Sequence, residues 1–237
     1  MLKFLGCGSA FNTTLGNTSA YIKKDKSLLL IDCGGTVFST LREKSLLEGV
    51  DGLHIFITHT HPDHVGSLGD LIFYCKYILR ITPTIYFPHF DILQSFFTSI
   101  GIEEDVYIER SSWSVTIHDA CLGEVHALFN GIKHTKKIPA CCVLFKIDGK
   151  RIYYSGDSRE IFPDTIDMLR EGFIDFLYQD TCGFDYKGNV HMAISRLESL
   201  IPVELRNKVY CIHHDESLDL QRVINLGFQV PGEVKLP

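Results

Sequence analysis

The sequence predicts an α/β fold in which two β-sheets pack face to face with helices outside. Strand-like apolar runs fill both halves of the chain, and helical patterns interrupt them at intervals. No repeat, low-complexity stretch or linker divides the 237 residues, so 1–237 reads as a single domain. Apolar residues make up 45% and charged residues 22%, which suits a sizeable core.

Residues 2–5 read as a short apolar strand, and 6–17 as a loop rich in Gly, Ser, Asn and Thr. Strands follow at 19–23 and 28–32, joined at Lys24-Asp25-Lys26. The second ends in Cys33-Gly34-Gly35, a tight turn that permits positive φ. Residues 36–47 have a helical face of Val37, Leu41, Leu46 and Leu47. The run 53–57 is apolar enough for a buried strand. Residues 67–79 place Leu68, Leu71, Ile72, Cys75, Ile78 and Leu79 at helical spacing. Phe73, Tyr74 and Tyr77 fall on other faces, a surplus that suits a subunit interface, a nucleobase-stacking surface or ordinary core. A strand at 84–87 and a helix at 90–99 come next. Strands at 115–118, 124–129, 140–147 and 151–154 follow, the last two joined by Asp148-Gly149, a hairpin signal. The final third alternates: helix 164–170, strand 173–178, helix 191–200, strand 208–212, helix 218–225.

The chemistry centres on His59-Thr-His61-Pro-Asp63-His64, directly after the buried strand. Three imidazoles and a carboxylate within six residues are what a transition-metal site needs. In extended backbone His59 and His61 point the same way, leaving Asp63 and His64 to turn towards a second position. Further candidates stand where other strands give way to loops: His134, Asp157, and His213 with His214. Asp157 has two oxygens with which to bridge two ions. His54, His89, His118 and His126 lie in or beside strands or after a proline, and read as structural or surface residues.

The net charge of −6 gives no broad attraction for nucleic acid or anionic membrane. Bound metals would leave one cleft locally positive, which favours a compact anionic substrate. No run of about 18 apolar residues suggests a membrane span. The N-terminus reaches Gly6-Cys-Gly-Ser too early for a signal peptide, so a cytoplasmic location is expected. The eight cysteines show no paired CxxC spacing, and reduced thiols rather than a Cys-based zinc site are expected.

The ordered set of the His59–His64 motif, then His134, then Asp157 in Tyr-Ser-Gly-Asp-Ser, then a late His resembles the metallo-β-lactamase family of hydrolases over nearly the whole chain. The resemblance implies an αβ/βα four-layer sandwich. It implies one metal on His59, His61 and His134, a second on Asp63, His64 and His213, and Asp157 bridging them. Two Zn2+ are the implied cofactors, with Mn2+ or Fe2+ suited to the same ligand types. His213 is preferred to His214 because it comes first after the strand, and His214 reads as a surface residue.

Within the family, Gly6-Cys-Gly-Ser-Ala, Asn17-Thr-Ser-Ala and Leu29-Leu-Ile-Asp-Cys-Gly-Gly-Thr look like the ribonuclease Z branch. So does Tyr178-Gln-Asp180-Thr followed by His191-Met-Ala, although Asp180 stands where that branch usually has Glu. By this resemblance His191 protonates the leaving oxygen of a phosphodiester, Asp180 holds its ring and raises its pKa, and Asp63 also handles the attacking water. His134 and Asp157 are only 23 positions apart, room for one hairpin and not for the long arm with which common ribonuclease Z enzymes grip tRNA. The chain is therefore most similar to the viral anti-Pycsar cyclic-nucleotide phosphodiesterases, which are arm-free homodimers. That implies hydrolysis of 3′,5′-cyclic mononucleotides by a homodimer, without stable nucleic-acid binding. The alternatives are a tRNA 3′-processing endoribonuclease, a thioesterase or lactonase, and a metal-stabilised binding module.

Overall fold

Two six-stranded sheets divide the chain almost in half. The structure, a computed structural model, describes residues 1–232; the last five residues of the expected domain lie outside the described residues. The first sheet runs β1 (Lys3–Gly6), β2 (Ser19–Lys24), β3 (Ser27–Ile31), β4 (Gly52–Phe56), β5 (Thr84–Tyr86) and β6 (Ile108–Arg110), in that order across the sheet. The second runs β7 (Ser114–Asp119), β8 (Gly123–Ile132), β9 (Ala140–Ile147), β10 (Lys150–Tyr154), β11 (Phe176–Asp180) and β12 (Val209–Ile212), again in sequence order. Each sheet is antiparallel where hairpins connect its strands and parallel where helices do: β3 to β6 in the first, β10 to β12 in the second. The hairpin turn at Asp148-Gly149 has φ of 52° and 71°, the left-handed pair that matches strand twist. That β9–β10 hairpin, within the sheet, accounts for most of the interval between His134 and Asp157.

The apolar faces meet between the sheets. Phe56 stacks on Tyr86 at 4.4 Å and meets Phe145 of the second sheet edge-on at 4.9 Å, so aromatic contact ties the layers together. The helices α1 (Val37–Glu43), α2 (Pro62–Val65), α3 (Leu68–Tyr74) and α4 (Phe90–Ser99) lie in the first half. Val37, Leu41, Leu68, Leu71, Leu93 and Phe97 join the same core as the first sheet. A separate cluster of Leu169, Leu197, Val209, Cys211 and Val223 packs α5 (Pro163–Arg170), α6 (Ile194–Leu200) and α7 (Leu220–Asn225) against the second sheet. Among the described residues no helix is long and apolar enough to cross a membrane.

Several expected elements change on folding. The helix expected over 36–47 stops at Glu43, and Ser45 takes φ 53°, yet Leu47 still reaches the core. The helix over 67–79 becomes a π-helical turn at Cys75–Leu79, which turns Tyr77 and Ile78 outward, 54% and 62% exposed. The strand over 173–178 shifts to Phe176–Asp180, because the Asp175 carboxylate accepts the Arg151 amide at 2.9 Å and makes its segment a turn. Edge strand β6, helix α2 and the 3₁₀ turns Glu104–Val106 and Val203–Lys208 were not expected. At 33–35 the positive φ falls not on the glycines but on Asp32, at 61°. Gly34 is needed for close approach instead, since a Cβ there would strike the carbonyl of Asp63.

Candidate metal centre

The site collects at the carboxyl ends of β3, β4, β8, β10, β11 and β12. β4 delivers Thr58 and His59, and the chain then folds over at once. Pro62 opens α2, and the amides of His64 and Val65 both donate to the His61 carbonyl, at 2.9 and 3.0 Å. That turn brings Asp63 and His64 to one side, while His59 and His61 reach the other.

Three donor groups result, each with its ligand atoms within 4.8 Å of one another; two share Asp157, and the third is Asp180, His191 and His213. In the first, His61 Nδ1 lies 3.0 Å from His59 Nε2 and 3.1 Å from His134 Nε2. Asp157 Oδ2 completes it, 3.7 Å from both His59 Nε2 and His134 Nε2. In the second, Asp157 Oδ1 stands 3.2 Å from His64 Nε2 and 3.5 Å from His213 Nε2. Asp63 Oδ2 stands 3.4 Å from His64 Nε2 and 3.3 Å from His213 Nε2. Donors bound at about 2.0–2.1 Å around a tetrahedral ion sit roughly 3.3 Å apart. The residues therefore fit metal ions. His64 Nε2 carries the test further: it is buried without a hydrogen-bond partner, facing two carboxylates.

The electrostatics agree with the geometry. Burial pushes His59 well below its ordinary pKa and His134 down to about 4, leaving neutral nitrogen donors. Burial opposes ionisation of Asp63 and Asp157 too, but His213 and His64 hold both carboxyls well below the usual range. Burial likewise opposes charge on His64 and His213, yet the carboxylates around them win. Asp157 and Asp32 raise His64 well above its ordinary value, and Asp157 with Asp180 and Asp63 lifts His213 to about 10. Nitrogens on which carboxylates favour a proton are nitrogens beside which they favour a metal cation.

A second layer of residues orients these donors. Asp32, fully buried, accepts from the Thr58 amide and hydroxyl at 2.8 Å each and from His64 Nδ1 at 2.9 Å. Thr58 Oγ1 in turn lies 3.1 Å from His59 Nδ1. Asp180 serves two rings: Oδ2 accepts from His191 Nδ1 at 2.8 Å, and Oδ1 faces His213 Nδ1 at 3.4 Å. His191 lies 5.6 Å from the His134 ring and 5.0 Å from the His213 ring, centroid to centroid. Burial opposes its protonation, but Asp180 raises its pKa above the ordinary value. Asp32 and His213 both adopt left-handed φ, 61° and 58°, as strained non-glycine residues at functional centres often do.

His191 is not on the helix expected over 191–200. Cys182 donates to the Met192 carbonyl and accepts from Ile194, holding 191–193 extended, so α6 starts at Ile194. His214 is not a surface residue. It is 1% exposed, its Nε2 donates to the Cys211 carbonyl at 2.8 Å, and its backbone exchanges hydrogen bonds with Cys7 and Ser9. His54 bonds Tyr86 and Asp119, away from the centre. Sequence reasoning missed Asp32, Thr58 and Asn189. Asn189 is buried: its amide reaches the Phe184 carbonyl, its Oδ1 accepts the His191 amide, and Arg159 donates to its carbonyl. An ionisable residue at the end of the all-apolar run Leu28–Ile31 was the available signal for Asp32.

A cavity of about 670 Å³ opens over the centre and takes in His61, Asp63, His134, Asp157, His191 and His213. Phe73, Tyr74 and Tyr77 do not line it, so the stacking surface considered for residues 67–79 is not at this cavity.

Residues 1–229 match the family described as anti-Pycsar protein Apyc1. The chain is 26% identical to the anti-Pycsar protein Apyc1 of Paenibacillus xerothermodurans, covering 92% of this chain and 89% of that one. It is 25% identical to that of Bacillus phage BSP38, covering 92% and 90%. Among solved structures, the metallo-β-lactamase fold protein YhfI from Bacillus subtilis superposes with a TM-score of 0.73 at 17% identity, covering 97% of this chain and 93% of that one. Fold, donor chemistry and relatives agree: the chain belongs to the anti-Pycsar Apyc1 family and is a metal-dependent hydrolase of the metallo-β-lactamase fold.

Proposed function

We propose that the protein is a dinuclear phosphodiesterase that hydrolyses 3′,5′-cyclic mononucleotides such as cCMP, cUMP, cAMP and cGMP, countering an antiviral defence that signals through them. The observation that carries the reading is the Asp180–His191 pair beside Asp157, whose two oxygens face two donor groups. On this reading His59, His61 and His134 would hold one ion, Asp63, His64 and His213 the other, and Asp157 would be shared between them. Two divalent ions bound there, Zn2+ by default, would supply Lewis acidity and would lower the pKa of water towards about 7.

The chain's own groups do the rest. Asp63, held anionic, orients the attacking water and accepts its hydrogen bond. The water, having lost one proton to solvent, bonds through its oxygen to phosphorus as the bond to the ribose 3′ oxygen breaks. That oxygen leaves as an alkoxide and needs a proton. His191 supplies it from Nε2, because Nδ1 is committed to Asp180 and the carboxylate favours the protonated ring. The product is a nucleoside 5′-monophosphate. A thioester expels a thiolate, which has no such need for a donor, and the β9–β10 hairpin offers no arm for tRNA. The exposed Tyr77 and Ile78 on the π-helical turn are proposed to meet a second copy in a homodimer, acting in the cytoplasm as one domain.

Incubation of the metal-loaded protein with the four cyclic mononucleotides and with a precursor tRNA tests this. Release of nucleoside 5′-monophosphate, with the tRNA left intact, is expected. Cleavage of the tRNA alone, or of neither, would overturn the proposal.

A further inference from the structure

Two aromatic rings stand exposed at the mouth of the same cavity. Phe11, in the loop after β1, is 88% exposed, and Tyr186, in the loop after β11, is 60% exposed. Both line the cavity that holds the metal-donor residues. Neither loop is loose. Around Phe11, Ser9 N and Asn12 Nδ2 both donate to the His214 carbonyl, at 2.9 and 3.1 Å, and Asn12 N donates to Ser9. Around Tyr186, Asn189 N donates to the Tyr186 carbonyl at 3.0 Å, and Arg159 grips both Asp185 and Asn189. The rings are therefore held out by built loops from the two sheets. An aromatic ring carries some 150–250 Å² of largely apolar surface, and leaving two of them in water beside a polar centre forgoes their burial.

The size of the cavity says what they lack. A phosphate on the donor groups fills only part of about 670 Å³, a volume in the range that encloses a whole small ligand. Several polar side chains nearby are already engaged. Asn17 Oδ1 accepts from Thr36, and Asn189 holds its loop. The Asp215 carboxylate accepts from Gly183 and Ser217. The two exposed ring faces are the largest apolar surface that these loops offer a ligand.

We infer that Phe11 and Tyr186 form a stacking subsite for the planar base of a nucleotide whose phosphate lies on the metal donors. This rests on the phosphodiesterase reading and names the residues that give it affinity for the base. Stacking contributes about 1–3 kcal/mol per base and follows the area of the base, so purine substrates bind more tightly than pyrimidines.

The test uses the full-length, metal-loaded protein and three substrates: cGMP, cCMP and a 3′,5′-cyclic ribose phosphate without a base. Phe11→Ala and Tyr186→Ala are each expected to raise KM for cGMP roughly tenfold or more, and to raise it less for cCMP. The kcat/KM ratio of cGMP to the base-free compound should fall by a similar factor, and Phe11→Trp should restore it. Unchanged KM values, or equal losses with all three substrates, overturn the subsite. Binding separates this from failure of the phosphodiesterase reading. If the wild type turns over no cyclic nucleotide, that reading fails. Guanosine 5′-monophosphate and inorganic phosphate are then titrated against wild type and Phe11→Ala/Tyr186→Ala. Selective loss of the nucleotide supports the subsite; equal affinity for both proteins overturns it.

Discussion

Replacing Asp180 by Asn keeps the shape of the residue and a hydrogen bond to His191 but removes the charge. Asp180 is wholly buried, so no water replaces that charge. A hydrogen bond to a charged group is worth about 1.5–3 kcal/mol and a neutral one about 0.5–1.5, so the protonated ring loses roughly 1–1.5 kcal/mol of support. At about 1.4 kcal/mol per factor of ten, kcat at neutral pH should fall close to tenfold. Deleting the ring in His191→Ala should cost more, on the order of 100-fold to 10⁴-fold, because the donor itself is gone. The sign of the pH effect distinguishes the two variants. The acid must be protonated, so activity falls as pH rises through the pKa of His191. Asp180 raises that pKa, so Asp180→Asn should move the alkaline limb to lower pH. Lowering the pH should then recover much of the Asp180→Asn loss and none of the His191→Ala loss. The assay is kcat against pH on cyclic mononucleotide, with metal content measured on every sample, since Asp180 also faces His213. An Asp180→Asn profile that coincides with the wild type would refute the role given to the pair.

Three further outcomes follow from the same geometry. Asp157→Ala removes the one carboxylate common to the first two donor groups, and elemental analysis should find both ions lost together with all measurable turnover; retention of one full equivalent would contradict its shared position. Asp32→Ala leaves His64 buried without its partner, which should cost about 3–5 kcal/mol in denaturant unfolding and lower metal affinity by about 10- to 100-fold; wild-type values in both would contradict the support given to His64. Carboxylates raise His64 well above its ordinary pKa and His213 to about 10, so a metal ion must displace protons from both at neutral pH. Zinc affinity should thus weaken as pH falls, with proton release seen in a weakly buffered titration; binding without proton release would contradict it.

What the sequence disclosed and what it concealed have a common physical origin. The His59–His64 motif was legible because its donors lie within one turn of chain after one buried strand. His134, Asp157 and His213 were legible as strand-end residues, since a donor placed where a sheet stops has few other uses. Asp32 was not, because its role depends on the parallel pairing of β3 with β4, which sets its carboxylate against Thr58. His214 was read as a surface residue because the bridge that buries it joins Gly8 to a residue some 200 positions away. The second contact of Asp180 was hidden for a related reason: β11 and β12 must pair before it can face His213. The π-helical turn at Cys75–Leu79 also escaped, since its apolar spacing matches an α-helix and only the observed exposure of Ile78 reveals the change.

On the proposed reading, cleavage of a cyclic phosphodiester in this cavity requires two bound ions together. Metal-stripped protein should be titrated with Zn2+ while hydrolysis of cCMP is followed in the same cuvette. The rate should rise to a plateau at two equivalents per chain. A full rate at one equivalent, or no hydrolysis at any ratio, would contradict it.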